Sequence, residues 1–417
     1  MLQPSQSALP RCIVRPAASA ARTLTSTRSR LGRPRLAVLS ATLIALASIT
    51  ANAAQPQSPQ TLKDAYRGDF NVGVAIGDGV VSGKDTCARQ LVLSQFDSIS
   101  PENTLKPEVL HPKPGVYDFS KGDAYVDFGR AHGMFVVGHT LLWHIQTPAW
   151  MFTDAQGASL DADAQLARLR DYIQRVAGHY AGRVQGWDVA NEVIDARGVY
   201  RESPWLKNVG DGDRLLREAF QAAARHAPQT ELYYNDFDTY KPDKRAGIVR
   251  LVKMLQAAGL RIDGVGMQGH WGLDRPSIAE IEQTIDTFSA LGVKVMITEL
   301  DIDVLPQPAQ TEGMPADQRL ALPTDPVARR KLDPYPDGLP EDMQRRLAQR
   351  YADLFALFHR KRAAISRVTF WGVQDGGSWK NDYPVQGRSN YPLLFDRQCK
   401  PKPALDAVLR VPTQLTP

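Results

Sequence analysis

Residues 264–299 read GVGMQGHWGLDRPSIAEIEQTIDTFSALGVKVMITE. The run 264–268 is almost continuously apolar, as expected of a parallel strand covered on both faces. A second β-like run follows at 293–298. Between them, 277–291 repeats apolar residues at helical spacing. Pro276, after Arg275, reads as a first helical position. The stretch is one strand–helix–strand unit, and its second strand ends on Glu299.

The pattern repeats outward on both sides. Strand-like runs stand at 70–76, 96–99, 134–139, 184–189, 231–235 and 367–373. Amphipathic segments stand at 86–95, 163–180, 213–226, 242–258, 342–363 and 402–409, with Pro242 after Lys241 marking another helix start. Eight strands alternating with helices predict an α/β fold, the (β/α)8 TIM barrel, as a single catalytic domain over about 65–410. Residues 306–340 break the rhythm with eight Pro and no period. This loop insertion follows the seventh strand, which would set it over the active-site face of a barrel.

The chain has 417 residues, 43% of them hydrophobic and 23% charged, which excludes collagen-like, disulfide-framework and wholly disordered proteins. The formal net charge of +5 is confined to the N-terminus. Residues 1–53 hold seven Arg and no Lys, Asp or Glu, which leaves the remainder at −2. Nucleic acid and anionic membranes are thereby set aside as partners. Within 1–53, an apolar run at 36–50 ends at the small-x-small site Ala51-Asn52-Ala53. This reads as a secretory signal peptide with a long basic start, and a retained signal anchor is the alternative. The expected location is periplasmic or extracellular, with no membrane contact after cleavage. Residues 54–64 read as a disordered tail. Cys87 and Cys399 remain after cleavage; they are either a bridge or two partly buried thiols.

Catalytic groups of a barrel gather at the C-terminal strand ends. Those ends carry Glu102, Asn103 and Lys106; His139 and Trp143; Asn191 and Glu192; Asn235; Gln268 and His270; Glu299 and Asp301; and Trp371 with Trp379. Closure of a barrel would set Glu192 and Glu299 on opposite sides of one pocket. Paired carboxylates across a sugar are the machinery of glycoside hydrolysis, about 5–5.5 Å apart when configuration is retained. One must hold a proton near neutral pH and the other must be ionised. All seven Trp (143, 150, 187, 205, 271, 371, 379) lie in strands or the segments after them, and none in an expected helix. Aromatic faces suit pyranose rings. Trp187 and Trp371 read as partly core, and Trp143 and Trp379 as site lining. His139, His144 and His270 lack the spacing of helical metal sites, so no metal and no cofactor is expected. His270 is instead placed to orient Glu299, with Asp301 on its other nitrogen.

PENTLK (101–106), GHTLLWH (138–144), WDVANE (187–192), GMQGH (266–270), ITELD (297–301) and the Trp371 and Trp379 segment occur in one order. Together they resemble the glycoside hydrolase family 10 xylanases. The resemblance implies that Glu192 is the acid/base and Glu299 the nucleophile. It also implies that Glu102, Asn103, Lys106, His139, Trp143, Asn191, Gln268, His270, Trp371 and Trp379 line the glycone subsites. A secreted, monomeric, retaining endo-1,4-β-xylanase acting on xylan and xylo-oligosaccharides follows as the expectation. An endo-β-1,4-glucanase or mixed xylan/glucan hydrolase is the alternative. A non-enzymatic sugar-binding barrel would have lost one carboxylate, and both are present. A chitinase-type site would cluster its acids on one strand, unlike WDVANE.

Overall fold

Parallel strands cannot leave an edge unpaired without exposing a row of backbone groups, and closing the sheet removes the edge. A computed structural model describes residues 61–309 and 318–415. The chain divides into two units, Met1–Gln55 and Pro56–Pro417, and the first lies outside the described residues, as does the expected signal peptide. The second holds eight parallel barrel strands: β1 (Asn71–Ile76), β2 (Ser98–Pro101), β3 (Phe135–Leu142), β4 (Gly186–Asn191), β5 (Glu231–Asp236), β6 (Gly264–Met267), β7 (Lys294–Asp303) and β8 (Ile365–Phe370). Each pairs with the next, and β8 pairs with both β7 and β1, which closes the ring. A short strand, His270–Gly272, adds to the outer half of β7 through His270 opposite Asp301.

The main helices are α1 (Thr86–Gln95), α2 (Ser120–Ala131), α3 (Ala162–His179), α4 (Gly212–His226), α5 (Pro242–Ala257), α6 (Ile278–Ser289), α7 (Glu341–Arg360) and α8 (Pro403–Leu415). Several starts are fixed locally by side chains that accept from the first-turn N–H groups: Asp85 for α1, Asp161 for α3, Asp211 for α4. Pro242 does open α5, as its sequence position suggests. Pro276 does not open α6. It follows a cis Arg275–Pro276 bond and precedes Ser277, which caps the helix in a reciprocal pair with Glu280.

Three further readings need correction. Helix α2 is missing from the amphipathic pattern because two of its buried positions are glycine. A Cβ at Gly122 would lie 2.1 Å from the Tyr180 hydroxyl, and one at Gly129 would lie 2.5 Å from Val136. Close approach at the two glycines accompanies buried Tyr125, Val126 and Phe128 on that face. The expected tail over 54–64 is ordered at its end: Thr61 caps a helix, Leu62–Ala65, whose Leu62 is buried; 54–60 lie outside the described residues. The insertion at 306–340 also has structure of its own. A strand, Leu320–Ala321, pairs with Val385–Gln386, and a helix spans Pro326–Leu332. Its ends dock on the segment after β8: Arg388 donates to the Pro306 carbonyl at 3.0 Å, and Tyr391 donates to the Tyr335 carbonyl at 2.5 Å.

The two cysteines are bridged. Cys87 in α1 and Cys399 before α8 form a disulfide across 312 residues, tying the first unit of the barrel to the last. Among the described residues, no helix is long and apolar enough to cross a membrane.

Candidate active site

The C-terminal end of β4 delivers Asn191 and Glu192 side by side. Glu192 has φ of +58°, a left-handed conformation that non-glycine residues rarely adopt and that turns its carboxyl into the barrel mouth. Three donors converge on it. Trp143 Nε1 donates to Oε2 at 2.9 Å; Gln268 and Asn191 donate to Oε1 at 2.9 and 3.2 Å. Burial by itself would raise the pKa of Glu192. The nearby His144, the Gln268 and Trp143 donors and the Lys244 cation outweigh it, so the carboxyl sits below its ordinary range. This is the opposite of the raised acid that the sequence argument called for. The physical reason is the charge interaction with His144 together with the donors, which stabilise the charged form.

Glu299, on β7, is held differently. Asn235 Nδ2 donates to Oε1 at 2.8 Å, and His270 Nε2 meets Oε2 at 3.2 Å. The other imidazole nitrogen meets Asp301 Oδ2 at 3.0 Å, and Trp379 Nε1 donates to the same oxygen at 2.7 Å. Burial would lower the His270 pKa, but Asp301 and then Glu299 raise it to about 9. His270 is therefore a cation at neutral pH and donates from both nitrogens. Asp301 is pulled down: burial opposes this, and His270 and Lys380 overcome it. The arrangement expected for His270 and Asp301 is present.

The two carboxylates belong to one network. Asn235 also donates to Asn191 Oδ1 at 2.9 Å, and Thr298 donates to Asn235 Oδ1 at 2.6 Å. Asn235 thus bridges the Glu299 side to the Glu192 side. Lys106 is buried, with its ammonium 5.0 Å from the centre of the Trp143 ring. It donates to Asn103 Oδ1 at 2.9 Å and to Gln146 Oε1 at 2.7 Å. Burial lowers its pKa, opposed by Glu299, Glu102 and Glu192. Burial raises Glu102, which Lys106 partly offsets. His139 is buried against Asp188 at 2.9 Å and meets the edge of Trp371 at 5.6 Å. Trp371 also faces His270 at 6.4 Å, and Trp379 stacks on Tyr383 at 4.8 Å.

The residues named from sequence lie at the strand ends or in the segments after them, Trp379 in a 3-10 turn, Trp379–Asn381, beyond β8, but the tryptophan rule was too broad. Trp205 is buried in a helix, Pro204–Val209, where its Nε1 donates to the Trp143 carbonyl at 2.8 Å. Trp150 lies in a short 3-10 turn, Ala149–Phe152. Trp187 is fully buried, and Trp371 and Trp143 are nearly so. Sequence reasoning missed Asp188, Gln146, Thr298 and Arg201, whose Nε donates to the Glu192 carbonyl at 2.8 Å. Asp188 was readable, since it sits inside WDVANE; Arg201 and Gln146 carry no local signal. Among the described residues, no group of three or more His, Cys, Asp or Glu could hold a metal ion.

A profile described as Glycosyl hydrolase family 10 matches residues 61–411. The chain belongs to glycosyl hydrolase family 10. It is 39% identical over 359 residues to endo-1,4-beta-xylanase A of Xylanibacter ruminicola, covering 86% of this chain and 95% of that protein. It is 37% identical to an endo-1,4-beta-xylanase of Geobacillus stearothermophilus, covering 84% and 98%. A solved GH10 endoxylanase from a sugarcane soil metagenome superposes with a TM-score of 0.79 at 39% identity, covering 85% of this chain and all of that one. A xylanase of Paenibacillus barcinonensis complexed with a conduramine derivative superposes with a TM-score of 0.73 at 35% identity, covering 85% and 99%.

Proposed function

We propose that this family 10 chain is a retaining endo-1,4-β-xylanase, with Glu192 as acid/base and Glu299 as nucleophile. The observation that carries the reading is the pair of buried carboxyls joined through Asn191 and Asn235 in one barrel mouth, and the division of roles rests on the family 10 motifs WDVANE and ITELD. Glu299 lies against the cationic His270 imidazole, which aims its carboxyl. Glu192 is held by neutral donors at both oxygens and has no cation in direct hydrogen bond among those contacts. In the first step Glu192 gives its proton to the glycosidic oxygen while Glu299 attacks the anomeric carbon. The C–O bond breaks, the leaving chain departs with that proton, and a glycosyl ester forms on Glu299. In the second step Glu192 takes a proton from water, whose oxygen displaces Glu299. Asn191 is placed to bind the sugar 2-hydroxyl, and Lys106, His139, Gln268 and the Trp143, Trp371 and Trp379 rings to hold the glycone.

The proposal extends to a secreted monomer. The leader at 1–53 supports export, and the Cys87–Cys399 bridge is at home in an oxidising compartment. The deciding experiment is product analysis on xylohexaose and cellohexaose in parallel. Short xylo-oligosaccharides with intact cellohexaose are expected, and the first-formed product should carry the β anomer by NMR. Cleavage of cellohexaose at a comparable rate would favour the mixed-specificity alternative. A first-formed α anomer would sink the double displacement.

A further inference from the structure

Beside Glu192, at the C-terminal end of β5, lies a buried polar unit that has no place in the two steps above. Lys244, in the first turn of α5, and Asp236, at the end of β5, are both buried, and Lys244 Nζ lies 2.7 Å from Asp236 Oδ1. The Phe237 N–H donates to the same oxygen at 2.9 Å, while the Tyr234 hydroxyl donates to Oδ2. Tyr234 in turn accepts from the Ile194 N–H at 3.2 Å. Ile194 is two residues past Glu192, within the turn that gives Glu192 its left-handed backbone.

The rest of that turn is held from the same side. The Glu192 N–H donates to the Asn235 carbonyl at 2.9 Å. Arg201 donates to the Glu192 carbonyl at 2.8 Å and lies 5.5 Å from the centre of the Phe237 ring. Lys244 covers that ring at 3.6 Å. Helix α5 is seated against the loop after β4 by backbone contact. A Cβ on Gly247 would fall 2.3 Å from the Gly198 carbonyl oxygen, and one on Gly198 would fall 2.2 Å from that of Asp243. Glycine at both positions lets the helix bring Lys244 close enough to reach Asp236.

A buried ion pair adds little to stability when measured against an apolar replacement, so its presence calls for another reason. We propose that Tyr234, Asp236 and Lys244 form a positioning unit that holds the Glu192 turn, and with it the carboxyl group, in the geometry required for proton transfer. None of the three is among the residues assigned to the sugar. Asp236 fixes the direction of the Tyr234 hydroxyl, Lys244 balances the Asp236 charge, and Tyr234 carries the constraint across to the turn. The inference rests on the acid/base role of Glu192.

The test separates proton donation from binding. Tyr234→Phe removes one oxygen and should fold, leaving the Ile194 N–H without its acceptor. Displacing a catalytic group by a fraction of an ångström costs roughly tenfold or more in rate. We therefore expect kcat/KM on xylohexaose to fall about tenfold, with KM little changed. On a dinitrophenyl xylobioside, whose leaving group needs no proton, kcat/KM should fall less than twofold. Lys244→Met alone would strand the Asp236 charge, so the double variant Asp236→Asn with Lys244→Met is the second probe, and the same selective loss is expected. Equal losses on both substrates, or no loss on xylohexaose in a variant of unchanged Tm, would overturn the proposal. Glu192→Ala is measured alongside. If it shows no preference for the activated substrate, the acid/base reading itself fails; if it does and Tyr234→Phe does not, only the positioning unit is refuted.

Discussion

Replacing Trp143 by Phe removes one atom group of consequence, the indole N–H that donates to Glu192 Oε2 at 2.9 Å. A hydrogen bond to a charged group is worth about 1.5–3 kcal/mol. It stabilises only the ionised carboxyl, and one pKa unit corresponds to about 1.36 kcal/mol. The loss therefore raises the Glu192 pKa by about 1–2 units, toward the lower figure if water enters the space the smaller ring leaves. The burial that opposes ionisation is unchanged, and the Trp205 bond to the residue 143 carbonyl survives, because it is to the main chain. In the double displacement the alkaline limb of kcat/KM reports loss of the acid's proton. That limb should move up by about one unit in the variant, measured on xylohexaose. An unmoved limb, or one shifted to lower pH, with thermal unfolding unchanged, would refute the view that donors to Glu192 set its protonation.

Other outcomes follow from the same geometry. Glu299→Ala should abolish turnover on every substrate, whereas Glu192→Ala should spare aryl glycosides with good leaving groups; equal damage in the second variant would contradict its role. His270 has its pKa raised to about 9, so the stability it contributes is complete below its unfolded value near 6.5 and disappears as pH rises through 9. His270→Gln should accordingly flatten the alkaline fall in Tm, measured by calorimetry between pH 6 and 10. Reduction of Cys87–Cys399 frees a 312-residue loop, worth roughly 6 kcal/mol in the chain-entropy account, and should lower Tm by several degrees. A chelator should leave the rate on xylohexaose unchanged, and zinc-reversible loss would reopen metal chemistry. Gly247→Ala must push α5 away from Gly198; about 1–3 kcal/mol of destabilisation is expected in urea unfolding.

Much of this was legible without coordinates, for a simple reason. Strand periodicity, helix amphipathicity and capping residues are local, and in a barrel the order of units in the chain is their order around the ring. The alternation around 264–299 was enough to call for closure, and closure places Glu192 and Glu299 in one mouth. Helix α2 escaped because only Tyr125, Val126 and Phe128 mark its buried face with side chains, the positions on either side, Gly122 and Gly129, packing through their backbone. What the tertiary structure alone decided is how charge is distributed in the site. The three donors on Glu192 come from β3, β4 and the end of β6, and the cation beside Glu299 depends on Asp301 through His270. The pairing of Cys87 with Cys399 and of Lys244 with Asp236 likewise joins residues from separate units. A pKa or an ion pair depends on distances across the ring, which no spacing along the chain records. The residue types and their order determined the family and the candidate chemistry, and three-dimensional proximity decided which donors and charges surround each carboxyl.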